Sequence, residues 1–221
     1  MRRRIVLSAV LATASLIAGG GVLAVPAAAS GTRAVGDLKI GSIIQLQNQY
    51  GAGSYLDTYG NGTAPGSKYA VSTTDDPGRI AIGTSRWQVV SATGRPPGSD
   101  VLSGDSIYLV NQYFGDGASG GYLDVNGFSN VPTAWYSVST TATKNRDGDS
   151  GKWRITAADS SPQDGLIRNG NTVHLQSEYG GNGGFLDTNG LNPTGNKYGV
   201  STNPYWNRSN ASTATWKVLV P

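Results

Sequence analysis

A six-residue phrase recurs three times along the chain and constrains its fold more than any other feature. It reads Tyr55-Leu56-Asp57-Thr58-Tyr59-Gly60, then Tyr122-Leu123-Asp124-Val125-Asn126-Gly127, then Phe185-Leu186-Asp187-Thr188-Asn189-Gly190. The aspartates, at positions 57, 124 and 187, stand 67 and 63 residues apart. A repeat at nearly constant period implies one supersecondary unit used three times, each copy burying its apolar face against the others.

The phrase carries its surroundings with it. Before each copy lies an alternating segment, at 42–50, 106–113 and 172–179; in the first, Ile44 and Leu46 face one way and Gln45 and Gln47 the other. A third strand follows at 68–73, 135–140 and 197–202, with Tyr and Val two apart on one face, and a fourth opens on Trp87, Trp153 or Trp216. Four strands in three copies make twelve, and no long stretch shows helical period, so the chain reads as all-β. The units span about 38–100, 101–165 and 166–221 of a single domain over 38–221. The expected core is built from equivalent side chains: Leu46, Leu109 and Leu175; Leu56, Leu123 and Leu186; Val71, Val138 and Val200; and the three Trp. Each large apolar side chain buried contributes roughly 1.5–3 kcal/mol. With no cysteine in the sequence, burial and hydrogen bonding must hold the fold.

Twelve strands in three four-strand units resemble a β-trefoil. Within that fold the Leu-Asp-x-x-Gly stretch and the closing Trp are similar to ricin-type lectin repeats, and the aromatic-Leu opening without cysteines is similar to fascin-like repeats. The Gln that ricin-type repeats place two residues before the Trp is replaced by Ser85, Gly151 and Ala214. The resemblance implies a six-stranded barrel capped by three hairpins, and non-catalytic carbohydrate binding in which the Asp accepts hydrogen bonds from sugar hydroxyls beside an aromatic ring. It makes Asp57, Asp124 and Asp187 candidate ligand residues. Tyr59, Asn126 and Asn189, two positions further on, join them, with the unrepeated Trp135 and Trp206 as flat apolar platforms.

The residues themselves leave other roles open. An Asp at the first position of a turn with Gly at the fourth is a type I turn signature. Arg79, Arg146 and Arg208 recur with the aspartates, which suits pairing with an Asp or capping carbonyls in their own unit as well as clamping an acidic sugar. Tyr50, Tyr113 and Tyr179 close the first strand of each unit and suit a barrel rim. His174, the one histidine, stands where the other copies carry Gln45 and Tyr108, and is expected to be an exposed strand residue. No serine–histidine site or facing carboxylate pair is expected. Residues 145–149 space their acids like a calcium loop but lack its required Gly and closing Glu, so neither a metal nor a cofactor is expected.

Arg2, Arg3 and Arg4, an apolar run from Ile5 to Val25 and Ala27-Ala28-Ala29 form an export signal over 1–29, followed by a polar lead-in over 30–37. The chain is thus expected to be secreted and not membrane-inserted. All three signal charges are basic, so of 17 basic and 14 acidic residues the mature chain keeps 14 of each. That neutrality gives no support to a nucleic-acid partner. The alternative to a carbohydrate binder is a protease inhibitor or protein-binding module that uses the long stretches 74–86 or 141–151 as loops.

Overall fold

The computed structural model describes residues 37–113, 120–159, 164–191, 196–208 and 211–221. The expected signal and nearly all of the lead-in lie outside them. Twelve strands form: β1 (Ile43–Asn48), β2 (Ser54–Asn61), β3 (Tyr69–Thr74), β4 (Trp87–Ser91), β5 (Ser106–Asn111), β6 (Gly121–Phe128), β7 (Tyr136–Thr141), β8 (Trp153–Ala157), β9 (Thr172–Ser177), β10 (Phe185–Leu191), β11 (Tyr198–Asn203) and β12 (Trp216–Leu219). Six of them close on themselves, each antiparallel to the next, in the order β1, β4, β5, β8, β9, β12 and back to β1. The others form three hairpins, β2–β3, β6–β7 and β10–β11, in matching register: Asp57 opposite Ser72, Asp124 opposite Ser139, Asp187 opposite Ser201.

Two cycles of hydrogen bonds tie the units together. At the hairpin end, Tyr69 N donates to Thr140 Oγ1, Tyr136 N to Thr202 Oγ1 and Tyr198 N to Thr73 Oγ1, all at 3.1 Å. At the opposite end Leu38 N donates to Ile167 O, Ile167 N to Val101 O and Val101 N to Leu38 O, at 2.9–3.0 Å. Leu38, Val101 and Ile167 are fully buried there and plug the ring. Because each unit supplies one link of both cycles, none of the three can leave without opening both.

All twelve side chains expected in the core are buried, the Leu and Trp completely. The simple in–out alternation of β1 fails in β2, where Leu56, Asp57 and Thr58 are buried in succession. The second face of β2 is covered by the segment returning toward β4, pinned by Thr58 N to Thr84 O at 3.1 Å; Val125 N to Ser150 O and Thr188 N to Thr213 O repeat the arrangement. In the first unit that segment begins with a single helical turn, α1 (Pro77–Ala81), unanticipated in the sequence; Asp76 caps it by accepting from Gly78 N at 2.8 Å, with proline at its start.

Candidate functional site

The repeated aspartates are interior groups. Asp57 and Asp124 are completely buried and Asp187 is 1% exposed. Each carboxylate is taken by the arginine of its own unit: Arg79 Nη2 lies 2.8 Å from Asp57 Oδ2, Arg146 Nη2 3.0 Å from Asp124 Oδ1 and Arg208 Nη2 2.8 Å from Asp187 Oδ1. The same guanidinium also donates to the next residue's carbonyl, that of Thr58, Val125 or Thr188. The peptide before is held by tryptophan: the indoles of Trp87, Trp153 and Trp216 donate to the carbonyls of Leu56, Leu123 and Leu186 at 2.9–3.0 Å. A hydroxyl from the covering segment donates to the second oxygen in two units, Ser150 to Asp124 at 2.6 Å and Thr213 to Asp187 at 2.8 Å. In the first unit Thr84 lies near enough to Asp57 to lower its pKa somewhat, but its hydroxyl bonds the Arg79 carbonyl.

Leu-Asp is therefore a lock in which Trp and Arg, joined by a hydroxyl in the second and third units, fasten the chain around the hairpin. The Asp does not start a turn either. It sits within a strand, and the motif's glycine (Gly60, Gly127, Gly190) takes the left-handed conformation at a register shift further along, φ 49°, 68° and 51°. Burial raises the pKa of all three carboxyls above 3.8 against the opposing pull of their partners. A surface sugar has no path to these oxygens in this arrangement.

The residues two positions further on have local roles. Asn126 is 6% exposed and donates to Ser139 Oγ at 3.2 Å, and Asn189 donates to Ser201 Oγ across its hairpin. Tyr59 lines a shallow cleft with Tyr69 and Tyr113 between the first and second units. Trp135 is 37% exposed and stands close over Gly184. The residues resembling a calcium loop hold one another instead, Asn145 donating to Asp149 at 2.8 Å and Lys152 pairing with Asp149 at 2.9 Å. Among the described residues no three metal-ligating side chains come together, and no helix is long and apolar enough to cross a membrane.

Trp206 is different. It is 55% exposed and its ring meets that of His174 at 5.0 Å and 63°, with Phe185 edge-on to His174 at 6.3 Å. These three rings, Gln176 and the β8 end at Thr156–Ala158 line an open cleft of about 420 Å³. His174 is not exposed as expected. It is 8% accessible, under Trp206, and Nδ1 is 2.9 Å from the Ala214 carbonyl. That acceptor requires the proton on Nδ1, so neutral His174 offers a lone pair at Nε2. Gln176 is steered by its bond to Asn182, 3.0 Å.

The same place in the second unit is occupied from within. Tyr108 lies opposite Val90 as His174 lies opposite Thr156, and Tyr122 opposite Val110 as Phe185 opposite Gln176. Lys144, two residues before Arg146 as Trp206 is before Arg208, sets its ammonium 4.7 Å from the centre of the Tyr108 ring. In the first unit Gln45 bonds Ser85 at 3.2 Å. Among the described residues only the third unit places three rings around an opening at this position.

No family model and no curated protein matches the chain. Solved structures do. A Caenorhabditis elegans protein of unknown function aligns over 82% of this chain and 95% of its own, at 17% identity and TM-score 0.63. The SDF2-like protein from Arabidopsis thaliana aligns over 82% and 94%, at 17% identity and TM-score 0.63. The botulinum neurotoxin serotype D ligand-binding domain, solved in complex with N-acetylneuraminic acid, aligns over 83% of this chain and 42% of its own, at 14% identity and TM-score 0.56. At these identities the likeness is one of fold: the chain shares the all-β architecture found in SDF2-like proteins and in neurotoxin binding domains.

Proposed function

We propose that this chain is an exported β-trefoil that binds carbohydrate without catalysis, through the cleft of His174, Phe185 and Trp206. The observation that carries this reading is the exposed Trp206 ring beside an inward imidazole and an amide, a flat apolar surface with polar groups at its edge. Pyranoses present that combination, with C–H faces and equatorial hydroxyls. In this reading a sugar face packs on Trp206, one hydroxyl donates to His174 Nε2, and another meets the Gln176 amide. The six-strand ring with its three hairpins supports the trefoil assignment, and a structural neighbour that holds a sialic acid supports the ligand class. The stretches considered as inhibitor loops are folded down to cover β2 and β6 through Thr84 and Ser150, which favours a cleft over a protruding loop.

A glycan array that includes neutral and sialylated sugars tests the reading. Binding to at least one class, reduced tenfold or more by Trp206→Ala in a protein with unchanged near-UV circular dichroism, is the expected result. Absence of binding to every glycan, or binding indifferent to Trp206, would overturn it.

A further inference from the structure

We infer that the junction between the third and first repeats is a second ligand site, shaped for a sugar ring that carries a carboxylate. It is separate from the Trp206 cleft and does not depend on it. The chain builds this junction three times, each with an edge-on tyrosine pair, Tyr50 with Tyr198 at 5.2 Å, Tyr113 with Tyr69 at 5.5 Å and Tyr179 with Tyr136 at 5.2 Å, and in the first two the locking arginine, Arg208 or Arg79, lines the cleft beside the pair. The three differ in what stands beside the tyrosines. Between the first and second repeats, Ile82 and Tyr59 crowd the tyrosines and leave about 70 Å³. Between the second and third, Phe128 stacks on Tyr136 at 5.4 Å, and Gly148 lies so close to Tyr179 that an added Cβ would stand 3.2 Å from the ring.

At the remaining junction the two residues that crowd the tyrosines between the first and second repeats are replaced by smaller ones. Ala211, three residues after Arg208, stands where Ile82 stands after Arg79, and Asn189 replaces Tyr59. The result is a cleft of about 460 Å³ lined by Tyr50, Tyr198, Thr188, Arg208, Ala211 and Thr213, within the size range of small-ligand sites.

The arginine differs too. Arg79 and Arg146 each give both Nε and Nη2 to their aspartate. Arg208 gives only Nη2, to Asp187 and the Thr188 carbonyl, while Thr213 takes the other carboxylate oxygen. Its Nε is left buried with no partner among the described residues. A buried N–H without an acceptor is costly, and a guanidinium is best satisfied by a planar anion such as a carboxylate. Two tyrosine rings at the mouth supply apolar surface for the ring that bears it. A small turn of the guanidinium would present Nε to a ligand carboxylate while Nη2 keeps Asp187.

The probes are a galacturonic acid trimer and the neutral galactose trimer of equal length. In titration calorimetry on the Trp206→Ala background, which removes binding at the first cleft, the chain should bind the acidic trimer at least tenfold more tightly than the neutral one. Ala211→Ile, which installs the residue the first repeat already accommodates, should weaken that binding tenfold or more. On the wild-type protein, the acidic trimer should shift the ring resonances of Tyr50 and Tyr198 and leave those of Tyr69, Tyr113, Tyr136 and Tyr179 in place, a readout that needs no variant to fold. No binding of the acidic trimer, equal binding of the neutral one, binding unchanged in Ala211→Ile, or shifts confined to the other tyrosines would each overturn the proposal. Loss of sugar binding at Trp206 alone would leave these readouts unaffected, so the two sites fail separately.

Discussion

The Leu-Asp lock and the Trp206 cleft sit within one unit, a few residues apart in sequence, and obey opposite rules. The lock occurs three times with the same partners, is buried, and leaves little room for variation: an arginine on the carboxylate and the next carbonyl, a tryptophan on the carbonyl before. Among the described residues the cleft occurs once, and its position holds Gln45 with Ser85 in one unit and a lysine on a tyrosine in another. Three copies sharing an interior must satisfy the same packing and hydrogen bonds, so the interior repeats. The rim faces water, carries no such constraint, and is where a single opening can differ from its siblings.

Breaking the lock should have the largest effect. Arg146→Ala leaves the Asp124 carboxylate buried without its cation, which costs about 3–5 kcal/mol; urea denaturation should show the midpoint fall accordingly. A loss below about 1 kcal/mol would mean the guanidinium is a surface ornament. Cutting the rim should do the reverse. Trp206→Ala should weaken sugar binding at least tenfold, about 1.4 kcal/mol, while stability measured in the same urea series falls by no more than about 1.5 kcal/mol, the worth of its edge-on contact with His174.

Acid titration sharpens the contrast further. Burial holds the three lock carboxyls above their ordinary 3.8, so between that value and their folded pKa the native chain binds more protons than the unfolded one. Their contribution to stability therefore falls as pH rises through that window. Compared with Asp124→Asn, the wild-type melting temperature should lose ground as pH is raised from 4 toward 7. The opposite trend would mean that Arg146 outweighs burial. The smallest effect is expected at the second unit's rim, where Lys144→Ala removes an exposed ammonium from Tyr108 and should cost no more than about 0.5–1 kcal/mol in thermal unfolding.

This division also decides what was legible in the sequence. The twelve strands, their order and the core side chains could be read because alternation and a threefold repeat report on shared burial. The joint recurrence of Asp and Arg suited their pairing. The role of Asp57, Asp124 and Asp187 was not decided, since sugar contact and turn formation both assume one open face. The covering segment closes that face through long-range hydrogen bonds that leave no local pattern. His174 was placed at the surface by analogy with Gln45 and Tyr108, and strand register alone supports that. Trp206 folding over it, 32 residues on, puts it inside. Trp206 itself stood out because it breaks the repeat, whereas the Ala211 opening is marked only by a residue smaller than its counterpart, a signal visible once the units are superposed.

The most direct measurement is a ¹H–¹⁵N spectrum of the wild-type chain titrated with a sugar that it binds. The five tryptophans give five indole signals, three of them from Trp87, Trp153 and Trp216 donating to leucine carbonyls inside the lock. A saturable shift of the Trp206 signal, with those three and the Nε signals of Arg79 and Arg146 unmoved, is what the account predicts. Movement of the lock signals while Trp206 stays still would contradict it and return the binding site to the repeated aspartates.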